Sequence, residues 1–369
     1  MLLGNYFLLF PFGAVLINKK SIRINTTVII LFAFVTAYII PELVSSVTPE
    51  YRLLFIVIAF LIGYNYYLQV TENDIISSYL VVAIGMSVHI AVNFILSFIK
   101  AGGIKFSPTY IDFWSGELTT TTGMMSNFVL FLPLFVFALS KKGKYYLYLP
   151  FVLIGLMFGI MTGNRTTLIL FAISTIMGIV VLLVYRQIRL GFVAIFVVVS
   201  LIVFVLLAYN FNWFGLQKMF DTSYMSYRLN LFSEKNESVL ETQRWDTKWE
   251  YIKRMLDYPW GGGKLRDSVG SYAHDIWLDT WSSGGVAAFL LLTFYIASFI
   301  YRMIKFVRIT RDVSAKILFS SYLVITLTQF LVEPIIQGAP WLFISACLFD
   351  GFVSRYIVNE KNKRLTLCS

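Results

Sequence analysis

The chain has 369 residues, of which 58% are hydrophobic and only 14% charged, and its mean hydropathy is +0.75. A soluble domain carries about 25% charge, so this chain has too little polar surface for water and takes a bilayer as its solvent. The formal charge of +10 does not point to nucleic acid, because the basic residues fall in short blocks between apolar runs. That is the pattern that orients membrane spans. Cys347 and Cys368 lie in a predicted helix and a tail, which leaves no disulfide framework or cysteine-based metal site to read.

A span needs about 20 apolar residues. Eleven runs come close: 2–17, 26–44, 51–69, 75–98, 123–139, 145–161, 166–185, 190–209, 284–301, 315–331 and 339–357. Their ends leave room for 10 to 12 spans. The first run lacks a basic start and a small-residue cleavage site, so it reads as a retained span rather than a signal peptide. The runs are continuously apolar rather than alternating, which favours helices over a barrel. The expected fold is an all-α polytopic transmembrane helix bundle, one membrane domain over 1–369, with a long extracytoplasmic loop at 210–283 that contains short helices.

Lys and Arg set the orientation. With the C-terminus inside, the inner loops hold Lys19, Lys20 and Arg23, then Lys141, Lys142 and Lys144, then Arg186 and Arg189. Arg302 to Lys316 and Arg355 to Arg364 complete that set, while the short outer connections hold only Arg52, Lys100, Lys105 and Arg165. The long segment 210–283 hardly enters this argument, because long loops translocate largely regardless of charge. It reads as helical around 243–256, where Trp245, Trp249, Ile252 and Leu256 recur at helical spacing, and it breaks at "YPWGGGK". A second outer loop, 99–122, carries Trp114, Glu117 and four consecutive threonines.

The stretch "GSYAHDIWLDTWSSGG" (270–285) holds His274, one of two histidines in the chain. An imidazole with an ordinary pKa near 6.5 is mostly neutral outside the membrane and can accept a proton. Asp275 and Asp279, four apart, would share a helix face beside it. The same residues also fit a helix start, with Ser271 or Asp275 capping and Trp277 and Trp281 at the interface. Arg165, in "TGNRTTLIL", enters a predicted span where helix N–H groups and a guanidinium would suit a phosphate; it could equally snorkel to lipid headgroups. Arg244, in "ETQRWDTKWEYIKRM", is a second phosphate candidate, with pairing to Glu241 as the plainer reading. "GGGK" (261–264) fails as a phosphate loop, because Leu265 stands where Ser or Thr is needed. Its glycines suit a tight turn against a ligand or the membrane. His89 and Asn93, with Asp350 and Glu333, read as polar residues bonded inside the bundle. No HExxH and no GxSxG occurs.

Three of these pieces fall in a familiar order. "TGNRTTLIL" resembles the "SGSRT" turn of the bacterial O-antigen polymerase and O-antigen ligase family. "QRWDTKWEYIKRMLDYPWGGGK" is similar to its "R…W…I…P..G.G" segment, and "HDIWLDTWSSGGVAAF" to its "HNxxLxxxxxxGxxG" ending. Asp275 stands where the family carries Asn. The likeness covers roughly 160–300; the first half resembles the family only in being polytopic.

The resemblance implies a glycosyltransferase of the bacterial inner membrane, working on the periplasmic face without metal or cofactor. Its donor and acceptor would be undecaprenyl-diphosphate-linked oligosaccharides, in contact with membrane lipid and with a chain-length regulator protein as a further partner. In that reading His274 is the base, and Arg165 and Arg244 hold the diphosphate. Asp275 and Tyr272 help bind substrate. The compact outer region favours a polymerase, which extends another lipid-linked repeat unit. The alternatives are a ligase acting on lipid A core and, in a different class, a flippase or transporter of lipid-linked oligosaccharide.

Overall fold

The computed structural model describes residues 22–368 apart from 67–68, 102–108, 112–117, 121–124, 127, 142, 162, 186, 214–216, 218–220, 222–225 and 227–238. The expected first span, 2–17, and the loop residues Trp114 and Glu117 lie outside the described residues. The described residues are mainly helical: α1 Thr26–Val44, α2 Leu54–Asn65, α3 Glu72–Ala101, α4 Leu134–Lys141, α5 Tyr148–Met161, α6 Arg165–Val184 and α7 Ile188–Asn210 precede the long loop. After them come α8 Val239–Arg254, α9 Lys264–Val269, α10 Ile276–Ile309, α11 Val313–Val332, α12 Ile335–Gly338 and α13 Pro340–Cys368. A small antiparallel ribbon pairs β1 Thr109–Ile111 with β2 Leu118–Thr120.

Among the described residues 8 helices are long and apolar enough to cross a membrane, and the shorter apolar segments Tyr51–Asn65 and Val129–Lys141 add to them. Together they cover the second to eleventh expected spans. This is a multi-pass membrane protein with an all-α bundle architecture.

The described chain resolves into two compact units. One comprises residues up to Tyr79 with Ser238–Ile309 and Thr326–Ser369; the other comprises Leu80–Glu237 with Thr310–Ile325. In the first, α2 runs along α13 at very short range. A methyl at Gly63 would strike the carbonyl oxygen of Leu348, and one at Gly351 would strike that of Phe60. Lipid is as apolar as a protein core, so helices in it associate through such close backbone approach. Phe34, Tyr295 and Phe330 each pack a ring edge-on against Phe343. One buried charge pair crosses this core, Arg302 to both oxygens of Asp350 at 2.7 and 2.6 Å. The intramembrane acid that the sequence flagged is thus paired, which is what makes its burial tolerable.

In the second unit, α6 packs on α4 through Gly178, where a methyl would meet Val136 at 2.8 Å. Lys141 pairs with Asp312 at 2.6 Å, and the Ser321 hydroxyl donates to the Ser174 carbonyl at 3.0 Å. Along α7, Phe192, Phe196, Ile202 and Leu206 are exposed, the face a span turns to lipid. In α3, Asn93 donates to the carbonyl of His89 at 3.0 Å, one turn back.

Candidate active site

The site sits in the first unit, where α8 to α10 meet the ends of the spans. It is organised by a break in α10. Gly285 has φ 68° and ψ −164°, a conformation open mainly to glycine, and the break releases the carbonyls of Ser282 and Ser283. The Gly261–Gly263 turn takes them: Gly262 N–H donates to Ser283 at 2.7 Å and Gly263 N–H to Ser282 at 2.8 Å. In return Val286 N–H donates to Pro259 O at 2.9 Å. The three glycines, with φ of 75°, 75° and 76°, therefore turn against protein backbone and not against a ligand or the membrane. Gly262 also abuts Ser45 at the end of α1.

This joint makes a stability prediction. A left-handed backbone costs a residue with a Cβ about 1–2 kcal/mol. Gly270→Ala has φ +84° but open space around it, so it should lose only that amount. Gly261→Ala bears the same penalty and also drives its methyl to 2.5 Å from the Ser283 carbonyl oxygen, so its loss should be roughly twice as large or more. Thermal unfolding in detergent would rank the two; equal losses would mean that the joint is soft.

Behind the turn is a small core of Tyr251, Leu265, Ala273, Leu278 and Trp281. Trp281 Nε1–H donates to the carbonyls of Met255 at 2.7 Å and Tyr258 at 3.2 Å, and the Tyr251 hydroxyl donates to Ser271 O at 2.7 Å. The 271–275 loop is held on this platform by Asp279. One carboxylate oxygen accepts from Ala273 N–H at 2.9 Å and the other from Asp275 N–H at 3.3 Å. The residues on either side of His274 are thus gripped by one buried side chain. Asp275 caps α10, accepting from Trp277 N–H at 3.0 Å and Leu278 N–H at 3.3 Å. An N-cap of this kind satisfies donors that the first turn leaves open.

His274 itself has φ +55°, an uncommon conformation for a residue with a side chain. Its Nδ1 is buried with no hydrogen-bond partner. Two cations one helical turn apart on α8 converge on this corner. Lys248 Nζ lies 2.6 Å from the Leu331 carbonyl and 3.5 Å from Asp275 Oδ2. Arg244 reaches the Val332 carbonyl at 3.4 Å and Glu333 at 3.9 Å. Burial first, then the charges of Arg244 and Lys248, pushes the His274 pKa down to about 4. The imidazole is therefore neutral at physiological pH. Among the described residues no group of three or more His, Cys, Asp or Glu is placed to hold a metal ion.

The structure brings His274, Asp275 and Arg244 together. Tyr272 lies in the same loop, with the Arg266 guanidinium 5.4 Å from its ring centre. Arg165 belongs to the second unit. It is the first residue of α6, after Gly163 at φ +69°, and Asn164 caps the helix by accepting from Thr167 N–H at 3.0 Å. The cap occupies one of the N–H groups that a phosphate would use. Sequence reasoning missed Lys248 as a member of the site and Glu333 as a partner of Arg244. Lys248 was within reach: it falls four residues after Arg244, on the helix face that also carries the buried Tyr251.

No protein-family model matches this chain, and no curated protein is significantly similar to it.

Proposed function

We propose that this protein is a polysaccharide polymerase of the bacterial inner membrane, acting on the extracytoplasmic face. It transfers a growing glycan from undecaprenyl diphosphate to a hydroxyl of another lipid-linked repeat unit. The observation that carries the reading is the convergence of Arg244 and Lys248 on a neutral histidine whose Nδ1 has no partner, beside the ends of membrane spans. The order of the three sequence motifs supports it.

In this reading the acceptor oxygen attacks C1 of the donor's first sugar. The C1–O bond to diphosphate breaks, and its electron pair leaves on the lipid diphosphate. The hydroxyl proton passes to the His274 imidazole. Negative charge grows on the leaving diphosphate, where fixed cations act most strongly. Arg244 and Lys248 fill that role, and the motif likeness adds Arg165. A buried nitrogen without a partner is costly, and an acceptor hydroxyl would satisfy it. Burial is the main cause of the low His274 pKa and the same two cations add to it, so a bound diphosphate that neutralises them would lift the cations' share of that shift. Donor binding would then prepare the base. Asp279 acts on the reaction only by fixing the loop.

The reading is tested by the chain-length distribution of surface polysaccharide in a deletion strain. Single-repeat product is expected, restored to long chains by the intact gene. Full-length polymer held on the carrier lipid would instead mean a ligase, and repeat units accumulating inside would mean a flippase. Orientation has its own check. A reporter active only outside the membrane should work when fused near Asn236 and fail at Lys361; the reverse pattern would remove the external site.

A further inference from the structure

The helix α8 has three faces, and the site uses only one. At about 100° per residue, Arg244, Lys248 and Tyr251 point the same way, into the protein: Tyr251 is fully buried, and the two cations reach the carbonyls of Val332 and Leu331. Asp246, Glu250 and Lys253 form a polar face, where Lys253 pairs with Glu250 at 3.1 Å. The remaining stripe is Trp245, Trp249 and Ile252, extended by Leu256 in the next turn, and it spans only about 60° of the helix circumference. These four are 63%, 56%, 45% and 76% exposed. Large apolar side chains at perfect helical spacing are thus turned away from the protein.

The anchoring of the helix says what lies there. Lys248 and Arg244 hold the last residues of α11. In the turn that follows α8, the Met255 and Tyr258 carbonyls accept from Trp281, four residues before the break in α10. The helices α10 and α11 are consecutive spans joined at 310–312, so the start of one and the end of the other emerge on the same side of the bilayer. A helix of 16 residues is about 24 Å long. Tied to span ends on one side of the bilayer through its middle, at 244 and 248, and through the turn that follows it, it lies across the membrane surface rather than along the spans. Leu331, at the end of α11, is itself 49% exposed and continues the apolar surface toward lipid. Tryptophan at this depth, with cations along the edges of the stripe, suits the boundary between headgroups and acyl chains.

We propose that α8 is a membrane-surface anchor, with Trp245, Trp249, Ile252 and Leu256 seated in the phospholipid of the leaflet on that side. The anchor sets the depth of Arg244 and Lys248 at the level of lipid phosphates. It does not depend on the reaction assigned above.

The test is a nitroxide scan along 245–256, one label at a time in a cysteine-free background, in nanodiscs of phosphatidylcholine and phosphatidylglycerol. At 245, 249, 252 and 256 dissolved oxygen should collide with the label more than an aqueous nickel chelate does, and at 246, 250 and 253 the order should reverse. Nickel access as high on the stripe as on the polar face would overturn the proposal, as would shielding of the stripe from both reagents, which would mean a protein partner. Should labelled variants fold poorly, a second measurement decides. Brominated lipid should quench the native protein's tryptophan emission more than that of a Trp245→Phe/Trp249→Phe variant, and an unchanged quenched fraction counts against the anchor.

Discussion

Replacing His274 by alanine is expected to lower glycan transfer by about 100- to 10,000-fold, the range for removing a general base, while binding of the lipid-linked donor changes little. His274→Gln should be no better, because an amide keeps size and hydrogen bonding but takes no proton. The backbone provides a control for folding. His274 sits at φ +55°, which glycine adopts freely. His274→Gly should therefore relieve a strain of about 1–2 kcal/mol that offsets lost packing, and it should remain folded though inactive. The pH dependence follows from the depressed pKa of about 4. Activity due to the neutral imidazole is present above that value and lost as pH falls through it, so the acid limb should lie below pH 6.5. Binding of the proposed anionic donor should move the limb upward. Lys248→Met, which removes one of the cations that lower the pKa, should also raise it. That rise should be small, because burial and Arg244 come before Lys248 among the causes, and loss of the limb in His274→Gly is what would tie it to the imidazole.

The second large effect is expected at the arginines. Arg244→Ala and Arg165→Ala should each reduce polymerisation by about 30- to 1000-fold, which is roughly 2–4 kcal/mol of lost transition-state stabilisation. Lysine should rescue only in part, because it lacks the planar fork that matches a phosphate. Arg244 is half exposed on α8 and ties to the ends of α11 and its following turn, so its loss should affect folding less than catalysis. Protein levels and unfolding temperature check that separation. Normal polymer from both alanine variants would show that the motif likeness does not carry these roles.

The spans were legible in the sequence because a bilayer requires long continuous apolar runs, a signal that survives without neighbours. The site was legible only in part. Around His274 the sequence offered a helix cap or a catalytic group; the cap is there, since Asp275 caps α10, and Asp279 reaches back over the loop. That backward reach depends on the turn before α10, which no local periodicity encodes. The three glycines showed that a turn was needed but not what it pressed against, because the break at Gly285 that receives them lies more than twenty residues away. The stripe of Trp245, Trp249, Ile252 and Leu256 was plain in the sequence, yet an amphipathic helix normally buries such a stripe. Here the polar neighbours Arg244 and Lys248 face inward instead, because carbonyls at the end of α11 give them partners.

Glycosyl transfer with release of the carrier lipid is the step that the proposed function requires. Purified protein in nanodiscs, given a single repeat unit linked to undecaprenyl diphosphate, measures it most directly. A ladder of longer lipid-linked glycans is expected, with one free undecaprenyl diphosphate for each new linkage, both absent with His274→Ala. Donor that remains at one repeat, with no diphosphate lipid released at any pH tested, would contradict it.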